Sequence, residues 1–340
     1  MAIGFGIIGA GQMGAVHAAA IDAVSEAQLI AVADVDEKRA DILAGEHGLQ
    51  HVFTDYNHLL ALRNVDAVVI ATPDQLHCEP AVASSNAGKH VLLEKPIATN
   101  LRDADRIIAS SKAANVKLAI GHCSRYDTTH TAIKEQIETG SLGDVMSIYS
   151  KRHAFITEAR RLGGRVSVEQ YLAVHDLDLM LWYLNDEVVR VTAEIVAGPV
   201  QNELGVHDIC WTMFKTRRGA VGIVESGWVL PAKLGMGGDV RFEVVGSKGI
   251  AYGQVLPNTV AICNDDGWQF PDVQHWSKLH GNLVGWYAEQ VRCFVQSIER
   301  DEPPVATGDD GRRSLEVIIA ARYSYQKNET VSLPFTESHG

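Results

Sequence analysis

The sequence lacks the cysteine pattern of a disulfide-stapled or zinc-bound protein. Its five cysteines are an odd number and include no Cys-x-x-Cys pair. Disulfide frameworks need even numbers of cysteines, and structural zinc sites need closely spaced pairs. His, Asp and Glu show no metal-ligand spacing either, so we expect reduced thiols, no metal site and a cytoplasmic protein. The cysteines are Cys78, Cys123, Cys210, Cys263 and Cys293.

The chain also lacks a basic excess and any long hydrophobic run. Lysine and arginine number 30 against 42 aspartates and glutamates, which gives a net charge of −12. A surface of this charge repels nucleic acid and anionic lipid, so neither is an expected partner. No stretch reaches the roughly 18 uninterrupted apolar residues of a membrane span, and no basic segment precedes the apolar N-terminus as in a signal peptide.

The first part of the sequence alternates short apolar runs with amphipathic segments. At 340 residues the chain exceeds what one hydrophobic core usually holds, which favours two domains. This alternation predicts right-handed crossovers and a doubly wound parallel sheet covered on both faces. The predicted strands span 3–8, 29–33, 67–71, 90–93 and 117–121, and the predicted helices span 13–24, 37–46, 79–86 and 101–114.

A glycine-rich turn, Gly9-Ala10-Gly11-Gln12-Met13-Gly14, directly follows the first strand and opens the first helix. This context makes it a dinucleotide-binding motif. Gly9 allows the tight turn, Gly11 lets the backbone approach a pyrophosphate, and Gly14 allows close packing of helix on strand. The helix N-terminus offers N–H groups and partial positive charge to the phosphates, and Gln12 and Met13 lie in its first turn.

Asp34 ends the second strand, about 20 residues after the motif, where a carboxylate accepts hydrogen bonds from ribose hydroxyls. A carboxylate at this position repels a 2′-phosphate, so we expect NAD rather than NADP. The alternative reading, in which Asp34 only caps the next helix, is weaker because Asp36 is the better placed cap.

The second part of the sequence changes to consecutive alternating strands with helices set apart, which indicates an α+β layer. Between them, residues 152–165 are predicted to form a basic loop that either clamps an anionic or hydroxylated substrate or is a solvated surface loop. The predicted strands span 145–151, 188–196, 208–216, 220–228, 239–245 and 259–264, and a helix is predicted over 283–298.

Several short motifs resemble the glucose–fructose oxidoreductase/inositol dehydrogenase/MocA family. They cover nearly the whole chain and are specific in combination. The motifs are Thr72-Pro73 with His77, the run 88–96 that ends in Glu94-Lys95-Pro96, residues 121–125, His175-Asp176-Leu177-Asp178, and residues 308–311 before an apolar helix.

The resemblance implies an NAD-binding Rossmann domain over 1–122. It also implies a substrate-binding and oligomerisation α/β domain over 123–340 with a large, open, mostly antiparallel sheet. The implied substrate is a sugar, cyclitol or related polyol, and the implied assembly is a homo-oligomer, either a dimer or a tetramer. Cofactor contacts are then expected from Thr72, Pro73, His77, Glu94 and Lys95 in addition to the glycine turn.

By the same resemblance, Lys95 contacts the reacting hydroxyl and His175 is the general acid/base. The chemistry agrees, because neutral histidine suits proton transfer near working pH and a lysine stabilises a developing alkoxide. The sequence departs from the family at Tyr171, where an aspartate is usual. Asp178, one helical turn after His175, is an alternative carboxylate for orienting the imidazole, and Tyr171 is a candidate substrate contact.

Arg125 and Tyr126, after the last Rossmann strand, and Arg152 are the remaining candidate substrate contacts. The leading interpretation is NAD-dependent hydride transfer to or from a secondary hydroxyl. Two alternatives stay open, a non-catalytic dinucleotide-binding regulatory protein and a lyase or hydrolase that uses NAD transiently. Tyr171 motivates the regulatory alternative, and the presence of both Lys95 and His175 weakens it.

Overall fold

The computed structural model describes residues 2–234, 238–256, 260–265, 267–273 and 275–335. The chain forms two compact units. The first comprises Met1–Tyr126 with Gln274–Arg312, and the second comprises Asp127–Val273 with Arg313–Gly340. In the described residues, no helix combines the length and apolar character needed to cross a lipid bilayer.

The first unit contains a parallel sheet in the order β3-β2-β1-β4-β5-β6, which is the strand order of a Rossmann fold and confirms the predicted class. The strands read as continuous apolar runs because helices cover both faces. The elements are β1 (Ile3–Ile8), α1 (Gln12–Asp22), β2 (Ala27–Ala33), α2 (Glu37–His47), β3 (His51–Phe53), α3 (Tyr56–Leu60), β4 (Ala67–Ile70), α4 (Cys78–Asn86), β5 (His90–Leu93), α5 (Leu101–Ala113) and β6 (Leu118–Ile120).

The second unit holds a mixed sheet in the order β12-β11-β7-β10-β9-β8-β17, where only the β7–β10 pair is parallel among the described strands. A π-helical turn over Glu169–Ala173 leads into α8. The elements are α6 (Thr128–Glu138), β7 (Val145–Phe155), α7 (Ile156–Leu162), α8 (Val174–Leu184), β8 (Val188–Val196), α9 (Pro199–Leu204), β9 (Ile209–Thr216), β10 (Val221–Leu230), β11 (Asp239–Gly246) and β12 (Ile250–Leu256).

The C-terminal part of the chain contributes to both units. Two short hairpins come first, and α10 then packs on α1 of the first unit. The ring of Phe294 on α10 also meets that of Phe5 on β1 edge-to-face, with their centroids 6.3 Å apart. The single predicted boundary, at 122/123, does not account for residues 274–312, which return to the first unit. The elements are β13 (Ile262–Asn264), β14 (Gly267–Gln269), β15 (Lys278–Leu279), β16 (Asn282–Leu283), α10 (Trp286–Glu299), α11 (Gly308–Lys327) and β17 (Val331–Ser332).

One local prediction in the second unit is wrong. Residues 152–165 are not a loop, because β7 continues to Phe155 and α7 covers Ile156–Leu162. The arginines that suggested a solvated loop are consistent with a strand end and a short helix, since Arg160 and Arg161 form ion pairs on the helix surface. Of the predicted strand over 259–264, only residues 262–264 form β13, residues 260 and 261 lie outside the strand, and position 259 lies outside the described residues.

His130 lies buried in the second unit and should make its stability pH-dependent. Burial, assisted by the charge of Arg152, lowers the pKa of His130 to about 3. The unfolded chain therefore binds this proton first, at about pH 6.5, and stability is lost as the pH falls from 6.5 toward 3. Between pH 7 and 5 we expect His130→Phe to lose about 2 kcal/mol less unfolding free energy than the parent.

The measurement is urea unfolding of both proteins at the two pH values. His58→Phe, at an exposed position, is the control and should leave the parent's pH dependence in place. An equal loss of unfolding free energy in the parent and the His130→Phe variant would contradict the assignment.

Candidate functional site

The glycine turn lies between β1 and α1 at the carboxyl edge of the parallel sheet. Gly9 has a φ of +103°, a left-handed conformation that favours glycine. A Cβ at Gly14 would lie 2.0 Å from the carbonyl oxygen of Gly9, whereas a Cβ at Gly11 would meet nothing within 4 Å. The glycine turn therefore leaves open space above Gly11, next to the first N–H groups of α1. Gln12 and Met13 lie in the first turn of that helix.

Asp34 joins this turn to the end of β2. Its Oδ2 accepts a hydrogen bond from the Ala10 N–H at 2.7 Å, and its Oδ1 accepts one from the Asp36 N–H at 2.8 Å. Asp36, as predicted, caps α2 by accepting from the N–H groups of Lys38 and Arg39. Since each carboxylate oxygen keeps acceptor capacity, Asp34 can still receive ribose hydroxyls while it holds the turn. The turn, the helix N-terminus and Asp34 together fit a dinucleotide.

Asp34→Ala should weaken NAD binding by at least about tenfold without a compensating gain for NADP. The substitution removes the ribose acceptor and also leaves two backbone N–H groups without their partner, a loss of roughly 1–3 kcal/mol. Titration calorimetry with NAD and NADP tests this result, and Asp36→Ala, which removes only a helix cap, should leave both affinities unchanged. NADP affinity in Asp34→Ala equal to the parent's NAD affinity would show that the carboxylate serves only to exclude the 2′-phosphate.

His77 connects the loops that follow β4 and β5. Its buried ring places Nδ1 2.9 Å from the Pro96 carbonyl oxygen and Nε2 3.0 Å from the Thr72 carbonyl oxygen. Burial lowers the pKa of His77, although both carbonyls oppose this shift. A neutral ring donates to only one of them. His77, at the start of α4, therefore supports the backbone at Thr72 and at Pro96. The Lys95–Pro96 peptide bond, which leads into Pro96, is cis.

Glu94 and Lys95 follow β5 at the same sheet edge as the glycine turn. Lys95 is half-buried. Glu94 is buried, and its carboxylate lies 2.7 Å from His17 Nε2 and accepts the Lys95 backbone N–H at 3.1 Å. Burial raises the pKa of Glu94, but the hydrogen bond and charge of His17, together with Lys95, outweigh it and hold the pKa below its ordinary value.

Arg125 is bound inside the first unit. Its Nη1 donates to the Val305 carbonyl oxygen at 2.7 Å and lies 3.4 Å from an oxygen of Asp310. Asp310 in turn exchanges hydrogen bonds with Thr307 at the start of α11, in the manner of a capping box. The motif over 308–311 therefore anchors this helix start, and Arg125 has a structural task there. Arg125 lies in a short 3₁₀ turn, Cys123–Tyr126, and Tyr126, which ends this turn, is largely buried.

In the second unit, His175 lies in the first turn of α8, directly after the π-helical turn. Its side chain is half-buried, while Asp178, three residues on, is buried. Tyr171 lies in the π-helical turn, where its hydroxyl accepts from Arg161 Nη2 at 3.0 Å and its ring packs against Trp228. Such turns often occur at functional sites.

The side chain of Arg152, on β7, also contacts α8. Its Nε donates to Asp176 Oδ2 at 2.6 Å, and Ser150 Oγ donates to Asp176 Oδ1 at 2.5 Å. The guanidinium predicted to clamp a substrate is thus engaged by the residue next to His175. Asp176 was recognised in the sequence only as part of a motif, with no role assigned to it. In the sequence, the basic residues over 152–165 were the available sign that a buried carboxylate binds one of them.

His17 was also missed. Its partner, Glu94, lies 77 positions away in the sequence. No local pattern reveals such a pair. The only clue in the sequence was a histidine one turn after Gly14, together with a glutamate at the end of a strand.

Comparisons with known proteins agree with this geometry. Residues 3–122 match the model of the oxidoreductase family with an NAD-binding Rossmann fold, and residues 130–252 match the GFO/IDH/MocA C-terminal domain. The chain is 33% identical over 342 residues to inositol 2-dehydrogenase 1 of Saccharopolyspora erythraea, covering 99% of this chain and 98% of that protein. It is 28% identical over 333 residues to myo-inositol 2-dehydrogenase of Thermotoga maritima, covering 96% and 98%.

Among solved structures, scyllo-inositol dehydrogenase of Lactobacillus casei with bound NAD(H) and scyllo-inositol aligns with a TM-score of 0.85 at 25% identity, covering 98% of this chain and 99% of that one. The predicted cofactor, NAD, is thereby confirmed, as is the prediction of an oxidoreductase. The chain belongs to the GFO/IDH/MocA family of NAD-binding oxidoreductases.

Proposed function

We propose that this protein is a polyol dehydrogenase that oxidises a secondary hydroxyl of a cyclitol such as an inositol, or reduces the corresponding ketone, with NAD. The observation that carries the proposal is the position of Lys95. It follows β5, which lies beside β4 and one strand from β1 in a parallel sheet, so its backbone is at the same edge as the glycine turn. The relatives named as inositol dehydrogenases support the substrate class.

In this proposal NAD, when bound, accepts the hydride, and the chain's residues handle the proton and the charge. Lys95 polarises the hydroxyl and stabilises the oxygen as it loses its proton. His175 takes that proton as general base and returns it in the reverse reaction. A half-buried imidazole suits this task, because it remains accessible to substrate.

Asp178 is the proposed partner that orients His175, since residues three apart share one face of α8. Tyr171 and Tyr126 are proposed substrate contacts. Arg125 and Arg152 are left out of the proposed set because their guanidinium groups bind carboxylates of the chain itself.

We also propose that the chain forms a homo-oligomer through the open face of the second sheet. Along β9 the side chains alternate between buried and exposed, and the exposed set includes Trp211 and Met213. Contiguous apolar surface of this kind typically marks a protein interface. Light scattering should give a dimer or tetramer, and Trp211→Glu should shift it toward the monomer.

The test of the enzymatic proposal is a panel of inositols, other polyols and sugars with NAD⁺, followed by NADH absorbance. Lys95→Met and His175→Asn should each lower kcat by about 10²- to 10⁴-fold while calorimetry shows NAD still bound. Lys112→Met and His58→Asn, at exposed positions, are matched controls that should keep the parent rate. NAD binding with no turnover on any member would favour the regulatory alternative, and substrate isotope exchange without net NADH would favour the lyase or hydrolase.

A further inference from the structure

The carboxylate of Glu94 is a buried charge immediately before Lys95, and it depends on few partners. His17 Nε2 lies 2.7 Å from one oxygen, and the Lys95 backbone N–H donates to the other at 3.1 Å. The surroundings fit it closely, since a Cβ at Gly121 would lie 3.1 Å from both the Cα and Oε2 of Glu94. A buried carboxylate is costly unless it is hydrogen-bonded, so these contacts fix its position.

His17 is itself costly to bury. The residue is fully buried on α1, and its ring meets Tyr287 of α10 edge-to-face with centroids 5.5 Å apart. Because an ionised carboxylate only accepts, Nε2 must carry the proton. Nδ1 is buried and has no hydrogen-bond partner among the described residues. Leaving a buried polar atom without a partner costs about 1–3 kcal/mol, which an apolar residue at this position would avoid.

The pair links two parts of the site. His17 lies one turn after Gly14, on the helix whose N-terminus would face the phosphates of a bound dinucleotide, and Glu94 accepts the backbone N–H of Lys95. We propose that His17 is a positioning residue, which acts through the Glu94 carboxylate to hold Lys95 in register with the glycine turn. The inference rests on the function proposed above for Lys95.

The first test is a kinetic cycle with His17→Leu, Glu94→Gln and the double variant. Each single change should lower kcat about 10- to 100-fold, the scale expected for a small misplacement of a catalytic group. The dissociation constant of NAD should change less than about threefold, because the phosphate contacts remain. Since both residues act through one contact, the double variant should be no slower than the worse single variant. Multiplying losses would overturn the proposal.

A second readout does not depend on turnover. Carbon NMR of the cofactor-free chain should show a higher Glu94 pKa in His17→Leu, because the hydrogen bond and charge that lower it are gone while burial, which raises it, remains. Lys95, His77 at the start of α4 and Tyr287 on α10 are titratable groups near the pair, and they are the same in both proteins. An unchanged Glu94 pKa would overturn the proposal.

Two further variants complete the design. His47→Leu removes a comparable histidine–carboxylate contact in the same unit, 2.5 Å to Asp22 but partly exposed, and should leave kcat unchanged. His17→Gln keeps an N–H donor and covers the case in which the leucine variant does not fold. It should retain kcat within about threefold, and a loss equal to that of Glu94→Gln would overturn the proposal. A parent that binds NAD without turnover refutes the proposed function, while the NMR titration still decides the role of His17.

Discussion

Replacing Gly11 with alanine is expected to raise the dissociation constant of NAD by at least about 30-fold, or ~2 kcal/mol, and to leave the fold intact. A Cβ at this position meets no protein atom within 4 Å. Gly11 also has a φ of −79°, which alanine adopts without strain. The new methyl group would instead occupy the space in which a pyrophosphate approaches the backbone. The parent and variant should therefore unfold at the same temperature without cofactor.

Gly14→Ala is the matched contrast in the same turn. Its Cβ would lie 2.0 Å from the Gly9 carbonyl oxygen, which belongs to the backbone and cannot rotate away. We expect a loss of about 3 kcal/mol or more in unfolding free energy of the first unit, because α1 must move off the sheet. Thermal unfolding with and without NAD separates the two variants. The explanation is wrong if Gly11→Ala is the less stable variant, or if it keeps the stabilisation by NAD that the parent shows.

Periodicity sufficed to predict five of the six strands of the first sheet, because each of these buried strands is a continuous apolar run and the helices between them show an apolar face. Strand β3, only three residues long and half exposed, and the short α3 escaped this reading. In the second unit, β12 was missed because it follows β11 after a tight turn and carries two glycines in or beside it. Arg152 of β7 and Arg160 of α7 suggested a loop because the carboxylates that bind them, Asp176 and Glu203, are 24 and 43 positions away.

The candidate site divides in the same way. Gly9, Gly11, Gly14 and Asp34 were predictable because their chemistry depends on backbone shape and on fixed spacing along one strand–helix–strand unit. Arg125 was predicted as a substrate contact from its place after the last Rossmann strand and Arg152 from the basic segment 152–165, since a sequence shows a charge but not its partner. The carboxylates that engage them are 185 and 24 positions away.

Arg152→Ala is expected to destabilise the second unit by about 3–5 kcal/mol, the second large effect. The substitution leaves Asp176 as a buried charge, with a side chain that is 3% exposed. Of the two described side chains that bind its carboxylate, only Ser150 remains. The loss should be larger than the pair itself contributes, because the arginine and the aspartate each lose water on folding. Replacing both by apolar residues, Arg152→Met with Asp176→Leu, should therefore recover most of the stability.

An ion pair on the surface supplies the control for this comparison. Arg160 and Glu203 form an ion pair in the same unit through three hydrogen bonds, with side chains 50% and 43% exposed. Arg160→Ala should cost less than about 1 kcal/mol, because water and salt screen an exposed pair. Urea unfolding of the parent and the three variants gives the comparison. Equal losses for Arg152→Ala and Arg160→Ala would mean that Asp176 is hydrated in solution. Because Asp176 follows His175 directly, stability restored in the double variant without restored turnover would show that the pair also sets the position of the imidazole.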